Sequence, residues 1–242
     1  MRIGVVSDMH GNCVALDAVL QDVLTHPVDR WVCLGDALQG GLQPREVADR
    51  LRELDCPVVM GNADAFVLEP GDQAFRNPGQ LAIREWTAAQ LGDEGLDYVR
   101  TFVPSVEIDL GDAGTLLCFH GGPDSYDTIL LPGTDPGTLR AELGGRARTM
   151  CGGHTHQQWS VSLDGWTFFN PGSAGLGYNA HVPQDGLQFF VDAEYAILHV
   201  DGDRVGVEFL RVPFDTDEID RVARTCGHPG AEEFAARFRS PA

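Results

Sequence analysis

Lysine is missing from this chain, so all 17 basic residues are arginine. A Schiff-base lysine and a Walker-type phosphate loop are thereby excluded, because each needs an ε-amino group. Basic residues are also few. Set against 36 acidic residues they give a formal net charge of −19, which argues against a broad basic face for a nucleic-acid backbone. The six cysteines (Cys13, Cys33, Cys56, Cys118, Cys151 and Cys226) include no C-x-x-C pair. Several fall inside apolar strands, where a free thiol behaves as a small hydrophobe, so a reduced, cytoplasmic setting is expected. No apolar run is long enough to cross a bilayer, and the N-terminus enters a strand at once, so neither a membrane span nor a signal peptide is expected. Zinc-hydrolase runs of the H-E-x-x-H or H-x-H-x-D-H type are absent too.

What is present is enough to fold. With 242 residues, 43% of them hydrophobic, the chain can bury a substantial core. No repeat, low-complexity tract or linker divides it. A single domain over 1–242 is expected, with its core to about residue 214 and a helical segment from about 215. Ile3–Ser7, Trp31–Leu34 and Pro57–Met60 read as short buried strands. Between them, Leu16, Val19, Leu20, Val23 and Leu24 recur at helical spacing behind a capping Asn12. Val47, Ala48, Leu51 and Leu54 do so behind Pro44. Strand, helix, strand, helix, strand is a parallel α/β pattern, and such sheets collect binding groups in the loops at the carboxyl ends of their strands.

Further along, Glu69–Pro104 reads as helices and loops, with Ile83, Trp86 and Ala89 at helical spacing. Val106–Leu110 and Thr115–Phe119 flank a turn and predict an antiparallel hairpin. Leu131–Gly145 is rich in turn residues and yields no element. Arg148–Gly152, Trp159–Leu163, Trp166–Phe169, Tyr195–Val200 and Val205–Val212 read as strands, and Asp215–Arg224 and Glu232–Arg239 as helices.

The polar motifs stand at the strand ends. Asp8-Met9-His10-Gly11-Asn12 follows the first strand, Gly35-Asp36 the second, and Gly61-Asn62-Ala63-Asp64 the third. His120 closes Leu116–Phe119, and Gly153-His154-Thr155-His156 follows the strand from Arg148. Each motif alone is ordinary loop chemistry. Together they assemble carboxylate, amide oxygen and imidazole, the ligand set of a borderline divalent metal.

This ordered set, D-x-H-G-N, G-D, G-N-x-D, H-G and G-H-x-H with Asn170-Pro171-Gly172-Ser173 after it, resembles the calcineurin-like metallophosphoesterase superfamily, and more narrowly its small bacterial YfcE-like phosphoesterases. The resemblance runs from Arg2 to about Phe214. It implies a four-layer α/β/β/α sandwich carrying two metal ions. Asp8, His10, Asp36 and His156 would hold the first ion; Asp36 as a bridge, Asn62, His120 and His154 would hold the second. It further implies hydrolysis of a small phosphodiester or phosphomonoester, with a nucleotide among the candidates, by attack of a hydroxide held between the metals. Asp36, Asn62 and His154 then act through those ions. Manganese, iron, zinc and nickel all suit such ligands, with manganese favoured. No membrane and no nucleic-acid surface are implied as partners, and the oligomeric state is open.

One position departs from the pattern. The superfamily commonly has Gly-Asn-His-Asp/Glu, with the histidine proposed to protonate the leaving oxygen or hold the substrate; here Ala63 stands in its place, and Asp64 loses the neighbour it would orient. His181, in Tyr178-Asn179-Ala180-His181, is a candidate substitute proton donor or substrate contact, beside an exposed loop role. Gly122 and Tyr178 are further candidate substrate contacts, Gly122 because glycine lets a backbone pass close to a ligand. Two other readings stand beside the small-substrate esterase: a protein Ser/Thr phosphatase or dinucleoside-polyphosphate hydrolase, and a weakly active metal-bound scaffold, which Ala63 alone favours.

Overall fold

The structure, a computed structural model, describes residues 1–69, 77–179 and 188–239. Its first sheet is built on β1 (Arg2–Val6), with β2 (Arg30–Cys33) parallel on one side and β10 (Asp192–Asp201) antiparallel on the other. β11 (Arg204–Pro213) completes the order β11-β10-β1-β2. The second sheet runs β3-β4-β5-β7-β6, from β3 (Val106–Asp109), β4 (Thr115–Cys118), β5 (Thr149–Cys151), β6 (Gln158–Leu163) and β7 (Trp166–Pro171). β4, β5 and β7 are parallel, while β3 and β6 close the edges antiparallel. A small ribbon pairs β8 (Tyr178–Asn179) with β9 (Gln188–Phe189).

Side-chain alternation along the strands makes the layers. Ile3, Val5, Ala196 and Leu198 point from the first sheet toward Leu116, Cys118, Cys151 and Phe169 of the second, forming the apolar filling between them. The opposite face of the first sheet presents Val6, Tyr195 and Ile197 to α1 (Cys13–Asp22) and α2 (Pro44–Glu53). The same cluster takes in residues of α4 (Pro78–Val99), α6 (Thr216–Ala223) and α7 (Ala231–Ala236). On the outer face of the second sheet, Leu117, Met150, Trp166 and Phe168 pack on Leu139 and Leu143 of α5 (Pro136–Leu143). The architecture is the α/β/β/α sandwich that the motifs imply.

Three local readings change. Pro57–Met60 is extended but pairs only through single bridges, Cys33 with Val58 and Val59 with Val103, because β2 stops at Cys33 and each neighbour offers one residue. The residues after Gly61 form a helix, α3 (Asn62–Leu68). Leu131–Gly145 contains α5: Asp135 accepts from the Gly137 and Thr138 N–H groups and Pro136 occupies the first turn, a capped start that its glycines conceal. Asn12 caps α1 as expected, accepting the Ala15 N–H at 3.1 Å.

Candidate metal centre

The five polar motifs meet at one end of the sandwich, where β1, β2, β4 and β5 hand the chain to loops. Two groups of ligating atoms form there: Asp8, His10 and His156, and Asp36, His120 and His154, with the atoms of each group within 4.8 Å of one another. In the first, His156 Nε2 lies 3.3 Å from Asp8 Oδ1 and 3.1 Å from His10 Nε2. In the second, His120 Nε2 lies 3.4 Å from Asp36 Oδ2 and 3.1 Å from Asn62 Oδ1. Asp36 Oδ2 is also 3.7 Å from His10 Nε2, so this one carboxylate oxygen stands between the two groups.

Backbone carbonyls fix the imidazoles. His10 Nδ1 meets Gln39 O at 2.8 Å, His120 Nδ1 meets Leu34 O at 2.8 Å, and His156 Nδ1 meets Leu176 O at 2.9 Å. A carbonyl can only accept, so each Nδ1 carries a proton and each Nε2 is turned inward. His10 and His156 face each other Nε2 to Nε2 across 3.1 Å, beside Asp8 Oδ1, a buried oxygen without a hydrogen-bond partner among the described residues. Only a positive charge resolves that arrangement, and nitrogen with carboxylate oxygen suits a borderline dication.

The electrostatics agree. Burial works to raise Asp36, but His120 and then His10 outweigh it and hold the carboxyl well below its ordinary range. Burial works against a charged His120, yet Asp36 pulls the imidazole up to about 10. Burial would likewise raise Asp8, and His156 brings it below its usual value. This end of the sandwich attracts positive charge.

The backbone bends to reach this geometry. Asp8, His10, Asp36, His154 and His156 all have φ between 47° and 68°, and they make up five of the seven non-glycine residues with positive φ among the described residues. Such conformations cost free energy and persist where surrounding contacts impose them. Asp36 is one such case: its Oδ1 accepts the Ala63 N–H at 2.7 Å, which leaves Oδ2 for the two groups. A Cβ on Gly61 would collide with that carboxylate, so only glycine fits beneath it.

Asp64 has a task the sequence does not disclose. Wholly buried, it accepts the N–H groups of Ala37 and Leu38 at 3.1–3.2 Å and so holds the loop that carries Asp36. Burial, with Asp36 adding to it, raises its pKa to about 7. Far from losing its purpose with Ala63, it braces the backbone. Asn12 adds a second bond beyond its cap, donating to Gly175 O at 2.9 Å.

The other candidates are scattered. Tyr178 is half-buried, donates to Thr155 O at 3.2 Å, and sets its ring 5.8 Å from that of His156. Gly122 is buried and its N–H is taken by Ser125 O at 2.8 Å, so that donor does not point to a ligand. His181 lies outside the described residues.

A four-layer sandwich with paired histidine–carboxylate groups at its strand ends defines a metal-binding α/β protein. The family model of the calcineurin-like phosphoesterase superfamily domain matches residues 1–203, and the chain belongs to that superfamily. A metallophosphoesterase from Sphaerobacter thermophilus superposes with a TM-score of 0.72 at 28% identity, covering 98% of this chain and 97% of its own. A hypothetical protein from Pyrococcus horikoshii shares the fold at a TM-score of 0.81 and 19% identity, covering 97% and 96%. An uncharacterized protein of Methanocaldococcus jannaschii is 37% identical over 98 residues; the match spans 40% of this chain and 40% of that relative's length. No helix among the described residues is long and apolar enough to cross a membrane.

Proposed function

We propose that the protein is a two-metal phosphoesterase acting on a small phosphodiester or phosphomonoester. The observation that carries this reading is the convergence of inward-facing Nε2 atoms and carboxylate oxygens on two places that share Asp36 Oδ2. Asp8, His10, Asp36 and His156 would hold one ion, and Asp36, Asn62, His120 and His154 the other. Divalent ions there would supply Lewis-acid charge to a phosphoryl group and lower the pKa of a water near neutrality. Manganese is the favoured metal.

The chain supplies the rest. Carbonyls of Gln39, Leu34 and Leu176 hold three imidazoles with Nε2 facing inward, and the Ala63 N–H aims Asp36. With only Asp8 and Asp36 as anionic ligands, the loaded site remains net positive and suits an anionic phosphate. The net charge of −19 disfavours large polyanions. A cytoplasmic location agrees with six cysteines free of disulfides. Residues 1–242 form one domain in this reading, because Ile219 and Phe234 share the apolar cluster of β1 and α1.

The test is hydrolysis of bis-p-nitrophenyl phosphate and p-nitrophenyl phosphate by metal-stripped protein, with manganese then restored. Activity that returns with metal and is lost in Asp36→Asn and His156→Ala establishes the reading, and the diester-to-monoester ratio assigns its class. Two ions bound per chain without turnover would instead establish a metal-bound scaffold.

A further inference from the structure

Four carboxylates are buried among the described residues. Asp8, Asp36 and Asp64 belong to the strand-end loops; the fourth, Glu194, sits wholly buried on β10. A buried carboxylate costs free energy unless it is paired and hydrogen-bonded. Glu194 is both. Arg211, its register partner on β11, brings Nη2 to 2.6 Å from Oε1. The other oxygen, Oε2, accepts the Ser173 N–H at 3.3 Å, while the Glu194 N–H donates to Ser173 O at 3.1 Å. Glu194 thus grips one residue of the turn after β7 by both of its backbone groups.

That turn reaches the metal centre twice. Ser173 Oγ donates to Asp8 O at 2.7 Å and accepts the Leu176 N–H at 2.7 Å; Leu176 O then takes the His156 Nδ1 proton at 2.9 Å. Ala174 and Gly175 add N–H bonds to Ser7 O and Asp8 O. The turn is shaped around the acid, since a Cβ on Gly172 would run into Glu194 Oε2. Arg211 also holds Gln158, two residues beyond His156. Its Nε donates to Gln158 Oε1 at 3.3 Å, and the Gln158 amide donates to Leu210 O at 2.9 Å. None of these bonds touches Asp36, Asn62, His120 or His154. His10 and His120 take their orientation from Gln39 and Leu34 instead.

We propose that Glu194, with Arg211, is a positioning residue for one half of the centre: it fixes the Ser173–Leu176 turn and through it the His156 ring and the Asp8 backbone, with no hydrogen bond from that turn to the Asp36–His120–His154 group. The inference rests on the two-metal reading. Its consequence is asymmetric, because an orienting partner outside the ligand shell sets the affinity of the ligands it aims.

The experiment is titration of manganese alone into metal-stripped full-length protein, read by calorimetry and by the electron paramagnetic resonance of bound Mn²⁺. Glu194→Ala and Glu194→Gln are compared with wild type. Wild type is expected to take two ions. Glu194→Ala weakens one of them by roughly 10–100-fold and leaves the other within about twofold. Glu194→Gln keeps an oxygen acceptor for the Ser173 N–H, so its loss is smaller, and it carries the test should the alanine variant fail to fold. In metal-free protein, ¹⁵N spectra of the imidazoles are expected to show the tautomer balance of His156 moving away from Nδ1–H in Glu194→Ala, with His120 unchanged. Equal weakening of both ions, no weakening of either, or an unchanged His156 tautomer overturns the proposal. Absence of manganese binding by wild type overturns the two-metal reading, and the His156 tautomer still decides the role of Glu194.

Discussion

The two halves of the centre use the same kinds of atom but are supported from different parts of the chain. The Asp36–His120 half is framed close to its own strands: His120 by Leu34 O at the end of β2, Asp36 by the Ala63 N–H, and the Asp36 loop by Asp64. The Asp8–His10–His156 half is held by loops that lie outside the strands. His10 is set by Gln39, His156 by Leu176, and Asp8 by the His154 N–H at 3.0 Å, 146 residues away in sequence. The difference teaches that a symmetric ligand list conceals an asymmetric scaffold, so equivalent substitutions should have unequal effects on the two halves.

The joint between the halves should be the most sensitive place. Asp36→Asn is expected to lower kcat/KM for bis-p-nitrophenyl phosphate by roughly 10³-fold, since one oxygen serves both groups. Metal analysis should find both ions weakened, and loss of only one would break the shared-carboxylate reading. Next comes the missing imidazole. With Ala63 beside the second half, turnover of alkyl phosphates should fall below that of aryl phosphates by about 10²-fold or more, the range that general acid catalysis commands. Equal rates would remove Ala63 from the explanation. Asp64→Ala, which frees the Ala37 and Leu38 N–H groups, is expected to cost roughly 10–100-fold in activity through the Asp36 half alone. Manganese titration would locate that loss, and weakening at the His156 half would contradict the division.

The smallest effect contrasts these imidazoles with one outside the centre. His228 accepts the Gly230 N–H on Nδ1 at 3.0 Å and packs edge-on to Trp86 at 4.8 Å. Burial first, and Arg237 second, bring its pKa from 6.5 to about 4. A folded-state pKa below the unfolded one means the unfolded chain binds more protons in that interval. The stabilisation is therefore complete above about pH 6.5 and is lost as pH falls toward about 4. Thermal melts between pH 7 and 4 should show a loss of order 1 kcal/mol from this group that His228→Leu flattens. An unchanged pH slope in the variant would place the titrating group elsewhere.

Most of the centre was legible because its ligands follow strands in short, fixed-spacing loops. The structure brings Asp8, His10, His156, Asp36, His120 and His154 together there, while Asn62 follows a stretch that pairs only through single bridges. The third strand was overread, since an apolar run such as Pro57–Met60 carries no information on how far its neighbours extend. Helix α5 was missed because Pro136 and Gly137 mimic a turn while serving as a capped first turn. Asp64 was misjudged because a carboxylate's acceptors and donors lie across space, in this case at Ala37 and Leu38.

The sequence by itself determined the layered α/β class and the chemistry at the strand ends, because side-chain periodicity and strand-end placement are local properties of the chain. Tertiary structure alone decided which nitrogen of each histidine faces inward, that Asp36 Oδ2 stands between two groups, and that Glu194 reaches His156 through a turn. Each of those depends on a contact between residues separated in the chain, and such contacts leave no local pattern to read.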